Sequence, residues 1–405
     1  MAQANIYYFN PTCELAVANG SFSYMPPLLL REMEQNLSVL SFVFATENDF
    51  VLTDNHPSDQ FLDFLSQKGF KLPKFRTLSE LEALPKGSFN TIIPWGWSPA
   101  AHFKFKNLKE KYSGNELIWQ EQHRLLYERK TSLELLKNVL KNNPFEWLVT
   151  PSAIGQLVFS FEEIELLLEK HQKLIIKAPL SSSGRGIQII RKSKLNNANK
   201  QWISGILKQQ KYLVIEPLLE KVADLSFHFE IESETIINDL GFTFFETNSN
   251  GQYKGTYIHP DIHKLIPEIT NSEEFRIKLQ TVSNAIKKSF SKSVYSRWHK
   301  GFLGVDALLF REDDKLKIQP CIEVNCRMNM GILTKLLEDK VHQNASGKFE
   351  MFYGDSGQFG IFAREQMDMN PVEHSNGKLL SGFVPLVEPD SEKRFGAYFV
   401  LDTDR

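Results

Sequence analysis

The residue pattern predicts a small α/β unit followed by an α+β region with largely antiparallel sheets. Two observations carry this reading. Near the N-terminus, short β-rich runs (Ile6 to Phe9, Leu37 to Phe44, Phe89 to Ile93) alternate with helical stretches such as Phe61 to Lys68. From Trp147 onward, runs of strands are instead punctuated by helices, the pattern of an α+β domain.

In chain order, the first boundary falls near Trp119, where the α/β pattern gives way to an amphipathic helical segment from Arg124 to Lys141. Its apolar residues are Leu125, Leu126, Leu133, Leu135, Leu136, Val139 and Leu140, and Asn143-Pro144 stops it. A helix from Phe161 to His171, a strand from Lys173 to Lys177, a glycine-containing loop and a strand from Ile187 to Arg191 follow. Next come a helix at Gln201 to Gln209, a strand at Tyr212 to Ile215, and a hairpin of Leu225 to Ile231 with Thr235 to Phe245. A helix from Glu273 to Phe290 precedes a β pair between Phe302 and Arg327; the tail reads as strands at Phe359 to Arg364, Leu379 to Leu386 and Ala397 to Leu401. No internal repeat or heptad pattern interrupts this order.

At 405 residues and 42% hydrophobic content, the chain is long enough for two or three domains, each with a core. A formal net charge of −2 gives no basis for a nucleic-acid coat or an anionic membrane partner. The apolar run around Leu37 to Ala45 is too short to span a bilayer, and the N-terminus lacks a signal-peptide plan, so the expected location is cytoplasmic. Cys13, Cys321 and Cys326 are too few for a disulfide framework and read as free thiols.

The chemistry concentrates between Lys177 and Arg327. In LIIKAPLSSSGRGIQII an apolar strand ends on Lys177, and Ser181, Ser182, Ser183, Gly184, Arg185 and Gly186 follow before the next strand. A lysine at a buried strand's end supplies a point charge for a triphosphate, and the loop supplies amides and hydroxyls. The alternative is a serine- and glycine-rich hairpin with a snorkelling lysine. Neither a Walker-type loop nor a G-x-G-x-x-G fingerprint occurs.

In KIQPCIEVNCRMNMG, period-2 alternation sets Glu323, Asn325 and Arg327 on one face of a strand. The hairpin through Arg311 to Lys315 brings Asp306 of GFLGVDALLF near Glu323, with a bulge expected at Pro320. Two carboxylates and an amide make an oxygen-only site suited to Mg²⁺ and substrate phosphates; the alternative is a charged outer face with an Arg327–Glu323 salt bridge. A third segment, Glu216-Pro217-Leu218-Leu219 with Asp224 close behind, could offer backbone groups to a purine and a carboxylate to ribose hydroxyls, or be an ordinary strand-ending turn.

In this order the three segments resemble the ATP-grasp superfamily of carboxylate-amine ligases, over roughly Gln122 to Gly331. The resemblance implies a Rossmann-like domain over residues 1–118, an ATP-grasp small lobe with the phosphate loop over 119–215, and a large lobe with the metal site and C-terminal strands over 216–405. It implies ATP and Mg²⁺ as cofactors, with Mn²⁺ as a substitute. Lys177 and residues Ser181 to Gly186 would then hold phosphate, with Lys130 as the upstream nucleotide-contacting lysine. Glu216, Leu218 and Leu219 would line adenine, Asp224 would meet ribose, Asp306, Glu323 and Asn325 would ligate the metal, and Arg327 would face the reacting phosphoryl or acyl phosphate. The loop carries less glycine than the family usually shows.

The resemblance implies an ATP-dependent ligase acting on a small-molecule carboxylate and nucleophile, with no nucleic-acid or membrane partner. A phosphotransferase of the same fold and a non-catalytic nucleotide-binding module are the alternatives. Weaker features are the His259/His263 pair, interrupted by Pro260, and Trp298 to Lys300 and Tyr253 to Gly255 as substrate contacts. Two strand ends, Asn10 to Glu14 and Pro94 to Trp97, are candidates for binding the second substrate or for turn packing.

Overall fold

The computed structural model describes residues 4–111, 118–181, 186–192, 194–248, 251–390 and 392–403. Contacts group the chain into two compact units: Met1–Gln120, Lys254–Leu265 and Arg327–Arg405 form the first, and Glu121–Tyr253 with Ile266–Cys326 the second. This grouping keeps 121–215 together but divides the stretch 216–405, because Lys254–Leu265 and the chain after Cys326 pack with the N-terminal part.

The first unit contains a parallel sheet ordered Lys74–Arg76, Phe50–Leu52, Ala4–Tyr8, Phe89–Pro94. Its connecting helices carry readable start signals. Thr77 and Glu80 form a capping box ahead of Leu78–Ala83, and Ser98 caps Pro99–Lys104, where Pro99 occupies the first turn that tolerates it. Leu37 to Phe44 is not the expected strand. It ends the helix Leu28–Leu37 and continues as the 3₁₀ turn Ser38–Phe44, with Val39, Leu40, Ser41 and Phe42 all buried. An unbroken apolar run is compatible with either structure, and burial on all sides decided for the helix.

The returning C-terminal strands explain the grouping. Strand Ala345–Tyr353 pairs antiparallel with Tyr253–Ile258 and with Phe395–Thr403, which also pairs with Lys378–Pro385. Asn36 of helix Leu28–Leu37 accepts hydrogen bonds from the Arg394 and Phe395 amides at 3.0 and 3.2 Å. The expected strand Phe359 to Arg364 is instead a helix, Gln358–Met369, entered through Gly357 at φ 79°. Its aromatic content suggested a strand, but Phe359 and Ala363 stand one helical turn apart and are both buried.

The second unit holds two sheets. Gln156–Val158, Leu213–Pro217, Leu174–Lys177 and Ile187–Ile190 form an antiparallel four-stranded sheet. Helices Phe161–His171 and Asn197–Gln210 cover it, with Ile164, Leu168 and Ile203 in one core with Leu174, Ile176, Leu213 and Ile215. Both helices were expected, and each is capped at its N-terminus, by Ser160 and by an Asn196/Asn199 box. In the other sheet, strands Lys315–Asn325, Gly301–Glu312, Glu220–Ile231 and Ile237–Thr247 are antiparallel neighbours. Helices Arg129–Asn142 and Ser272–Phe290 pack against it. No helix among the described residues is long and apolar enough to cross a membrane.

Candidate active site

The hairpin Gly301–Glu312/Lys315–Asn325 turns on Asp313 and Asp314, at φ 49° and 60°, the two-residue left-handed geometry that matches strand twist. Its register places Asp306 directly opposite Glu323 and then slips, so that Leu308 lies opposite Gln319. Pro320 sits in this bulge, as its missing N–H requires. On its other side Asp306 lies opposite Ser226, giving a polar row Ser226, Asp306, Glu323 across three strands. The Asn325 amide donates to Asp306 Oδ2 at 2.9 Å. The Ser226 hydroxyl is buried with no partner among the described residues.

Arg129 joins this face to the phosphate-loop segment. It is 4% exposed at the start of helix Arg129–Asn142, and its Nη1 donates to the Ala178 carbonyl at 2.5 Å and to Ser181 Oγ at 2.7 Å. Its Nη2 lies 3.2 and 3.3 Å from the two oxygens of Glu323. One planar guanidinium therefore holds both the base of the loop and a carboxylate of the opposing pair, which the fork geometry of arginine permits and a lysine's point charge does not. The sequence reading chose the neighbouring Lys130, which is exposed on the same turn. The signal for Arg129 was present: it shares helical spacing with Ser132, Leu133, Leu136 and Val139, all buried.

Lys177 is 4% exposed and donates to Glu216 Oε2 at 2.7 Å. In the sheet, Lys177 lies opposite Val214, so Glu216 is its diagonal neighbour on the same face. The charges of both pairs act on Cys321, a buried thiol whose S–H donates a hydrogen bond to the Ser132 carbonyl at 3.5 Å. Burial pushes the Cys321 thiol up, the charges of Asp306, Glu216 and Glu323 push it further, and Lys177 opposes them. The charges of the Lys177–Glu216 pair and of Asp306 and Glu323 thus act on the same buried thiol.

Other expected positions are arranged differently. Leu218 and Leu219 lie between strands Leu213–Pro217 and Glu220–Ile231, and the Leu218 N–H is given to the Lys173 carbonyl at 3.1 Å. Asp224 lies inside its strand and accepts from Lys221 at 2.6 Å and Thr247 at 2.8 Å. The Gly186 carbonyl accepts from the Ala178 N–H at 2.8 Å, and Gly186 lies against Ser181, where a Cβ would collide with the serine side chain. Ser182, Ser183, Gly184 and Arg185 lie outside the described residues. Arg327 does not share the strand face with Glu323 and Asn325: the strand ends at Asn325, and within the first unit Arg327 Nε donates to Glu14 at 2.7 Å. Asn329 caps helix Met330–Glu338 by accepting from the Ile332 N–H. His259 Nδ1 is 3.2 Å from the Ala345 carbonyl.

Comparison with known proteins agrees on the architecture. No family model matches the chain. It is 25% identical over 321 residues, 76% of its length and 68% of the relative's, to a [butirosin acyl-carrier protein]–L-glutamate ligase of Niallia circulans. Among solved structures it resembles a biotin carboxylase–β,γ-ATP complex from Campylobacter jejuni, at TM-score 0.53 and 12% identity, across 100% of this chain and 88% of that one. It also resembles the biotin carboxylase domain of a Hydrogenobacter thermophilus 2-oxoglutarate carboxylase crystallised with MgADP, ADP and bicarbonate, at TM-score 0.50 and 12% identity, covering 100% and 87%. The chain has the ATP-grasp fold.

Within this ATP-grasp fold, the chemistry of the donors is hard and oxygen-rich. Among the described residues no three His, Cys, Asp or Glu side chains come together as a metal cluster, so a cation here would rely on two carboxylates and an amide. That set suits Mg²⁺, which retains waters and takes its remaining ligands from phosphates. Asn325 turns its amide nitrogen toward Asp306, and a half-turn of the amide presents the oxygen instead.

Proposed function

We propose that the chain is an ATP- and Mg²⁺-dependent ligase that activates a carboxylate as its acyl phosphate and passes the acyl group to an amine or similar nucleophile. The observation that carries this reading is a bridge in the second unit: Arg129 links Ser181, at the base of the phosphate loop, to Glu323, which lies opposite Asp306, while Lys177 pairs with Glu216. A cationic loop base and an oxygen face brought together suit a transferring phosphoryl group.

In this reading Lys177 and the Ser181 hydroxyl bind the phosphates, and Arg129 keeps the loop base aligned with Glu323. Asp306, Glu323 and Asn325 would hold Mg²⁺, which when bound supplies positive charge to the phosphate oxygens. A carboxylate oxygen forms a bond to the γ-phosphorus as the bond to ADP breaks. The nucleophile then adds at the acyl carbon, phosphate leaves, and the nucleophile's proton passes to solvent or base. No protein nucleophile is required, because positioning and charge neutralisation do the catalytic work. Glu216, Leu218 and Leu219 would take the adenine, and Asp224, within the following strand, the ribose.

The name of the curated relative makes an amino acid the first carboxylate to test and a carrier protein the first macromolecular nucleophile. The experiment measures ADP and free phosphate together, with Mg²⁺, across a panel of amino acids, small acids and amines. Equal release of both is expected in the presence of the correct pair. ADP without free phosphate would overturn the ligase reading in favour of a phosphotransferase, and no stimulated turnover, with nucleotide binding intact, would favour a non-catalytic module.

A further inference from the structure

The first unit contains a cavity of about 480 Å³ that none of the ATP chemistry uses. It lies at the carboxyl ends of the parallel strands, with Tyr8 and Leu52 closing two of them and Ser98 following a third. Ligands of open α/β sheets collect at that edge, where strand ends and loops leave a crevice.

The lining has a definite chemical character. Glu34, on helix Leu28–Leu37, is anchored by one oxygen, which accepts from Thr12 N at 3.2 Å and Thr12 Oγ1 at 2.6 Å. Its other oxygen makes no hydrogen bond among the described residues, and Glu34 is one of the residues lining the cavity. Asp54 lines the same space and is exposed. The Tyr8 hydroxyl feels both carboxylates: burial first, then Glu34 and Asp54, push its ionisation upward. Burial likewise raises the Glu34 carboxyl, against the lowering effect of Thr12 and Lys104. Lys104 and Arg31 also line the cavity, but neither hydrogen-bonds Glu34 among the described residues, so one Glu34 oxygen is left to accept from a ligand.

The walls supply the rest. Tyr8, Phe22 and Phe103 present aromatic surface, and Lys104 Nζ already lies 5.2 Å from the centroid of the Tyr8 ring, so that ring's electronegative face is in use by a cation. Aromatic rings beside carboxylates recognise an ammonium group carried on an apolar body.

We propose that this cavity binds a small organic amine, its ammonium group held by Glu34 and Asp54 and its apolar body packed among Tyr8, Phe22 and Phe103. The ligase reading is needed only to give the bound amine a part in the reaction; binding itself requires no nucleotide. The test is therefore calorimetric titration of the full chain, without ATP, with 2-phenylethylamine, its neutral analogue 2-phenylethanol and the anionic 3-phenylpropionate. The amine is expected to bind at least about tenfold more tightly than either analogue, and Glu34→Gln to lower its affinity by about tenfold or more, the value of one charge-assisted hydrogen bond. Glutamine keeps the acceptor for Thr12, and exposed Asp54→Asn provides a second variant independent of that contact. Absence of saturable amine binding, equal binding of the alcohol, or unchanged affinity in both variants would overturn the proposal. None of those results would touch the ATP site, which is read by ADP release and nucleotide stabilisation.

Discussion

Removing Lys177 has two separable consequences, one for stability and one for nucleotide binding. In the wild type its ammonium lies 2.7 Å from Glu216 Oε2, with the side chains 4% and 16% exposed. Lys177→Met keeps the aliphatic volume but strands a carboxylate that has lost its partner. Truncating one member of a buried pair costs about 3–5 kcal/mol. The residual exposure of Glu216 lets water reach the stranded charge, so the expected loss lies at the low end, about 3 kcal/mol. The double variant Lys177→Met/Glu216→Gln removes that charge and is expected to recover most of the loss, because a neutral amide can be hydrogen-bonded or hydrated at much lower cost. Urea denaturation measures both variants through their midpoints. Nucleotide binding is expected to follow a different pattern. Mg²⁺ with a non-hydrolysable ATP analogue at about 100 times Kd stabilises the wild type by about 2.7 kcal/mol through linkage, and neither variant regains that shift. A double variant stabilised by nucleotide as strongly as the wild type would refute the phosphate role of Lys177. A single variant as stable as the wild type would refute the energetic account of the pair.

Other expectations follow from the same geometry. Asp306→Asn and Glu323→Gln conserve volume and are expected to remain folded, Glu323→Gln with some loss of stability because the buried Arg129 loses its carboxylate, while both lose about a hundredfold or more in Mg²⁺-dependent ADP release; unfolded variants would instead mark the face as a structural salt bridge. Arg129→Lys cannot bridge Ser181 and Glu323 with one planar group and is expected to lower kcat by about tenfold or more, whereas exposed Lys130→Ala stays near wild type; the reverse order in steady-state kinetics would restore Lys130 as the functional cation. Gly96→Ala would place a Cβ 2.3 Å from Cys13 Sγ and 3.0 Å from Arg327 Cβ, an overpacking expected to cost about 1–3 kcal/mol in chemical denaturation. His299, part-buried with Nε2 2.9 Å from the Phe302 carbonyl, has its pKa lowered to about 4, first by burial and then by His123, against the raising effect of that carbonyl. Between an unfolded value of about 6.5 and the folded value the unfolded chain binds more protons, so stability falls as pH drops through that window, by up to about 3 kcal/mol. His299→Gln should flatten that part of the stability–pH profile, and an unchanged slope would count against the assignment.

Much of the second unit was legible because its signals are local. Helix Phe161–His171 was readable from its apolar period and Ser160 cap, and the site hairpin from alternation around a polar turn. Asp306 opposite Glu323 followed from the same alternation, since a hairpin's register is set by its turn and its pleat. Where local signals were ambiguous, the tertiary structure decided. Leu37 to Phe44 became helical because burial, not alternation, governs an unbroken apolar run. Arg327 left the strand face because the strand stops at Asn325, and Glu14, 313 positions earlier in sequence, lies beside it in the fold.

By itself the sequence determined which residue types stand at the strand ends and loops of an ATP-grasp fold, because strand and helix periods are properties of the backbone. Which charges meet depended on the tertiary structure. Arg129 rather than Lys130 joins the loop to the carboxylate face, Lys177 rests on Glu216, and the C-terminal strands return to the N-terminal unit. Each of these is a contact between distant segments, and such contacts are selected by packing and by the cost of leaving a buried charge unpaired, neither of which a local window of residues contains.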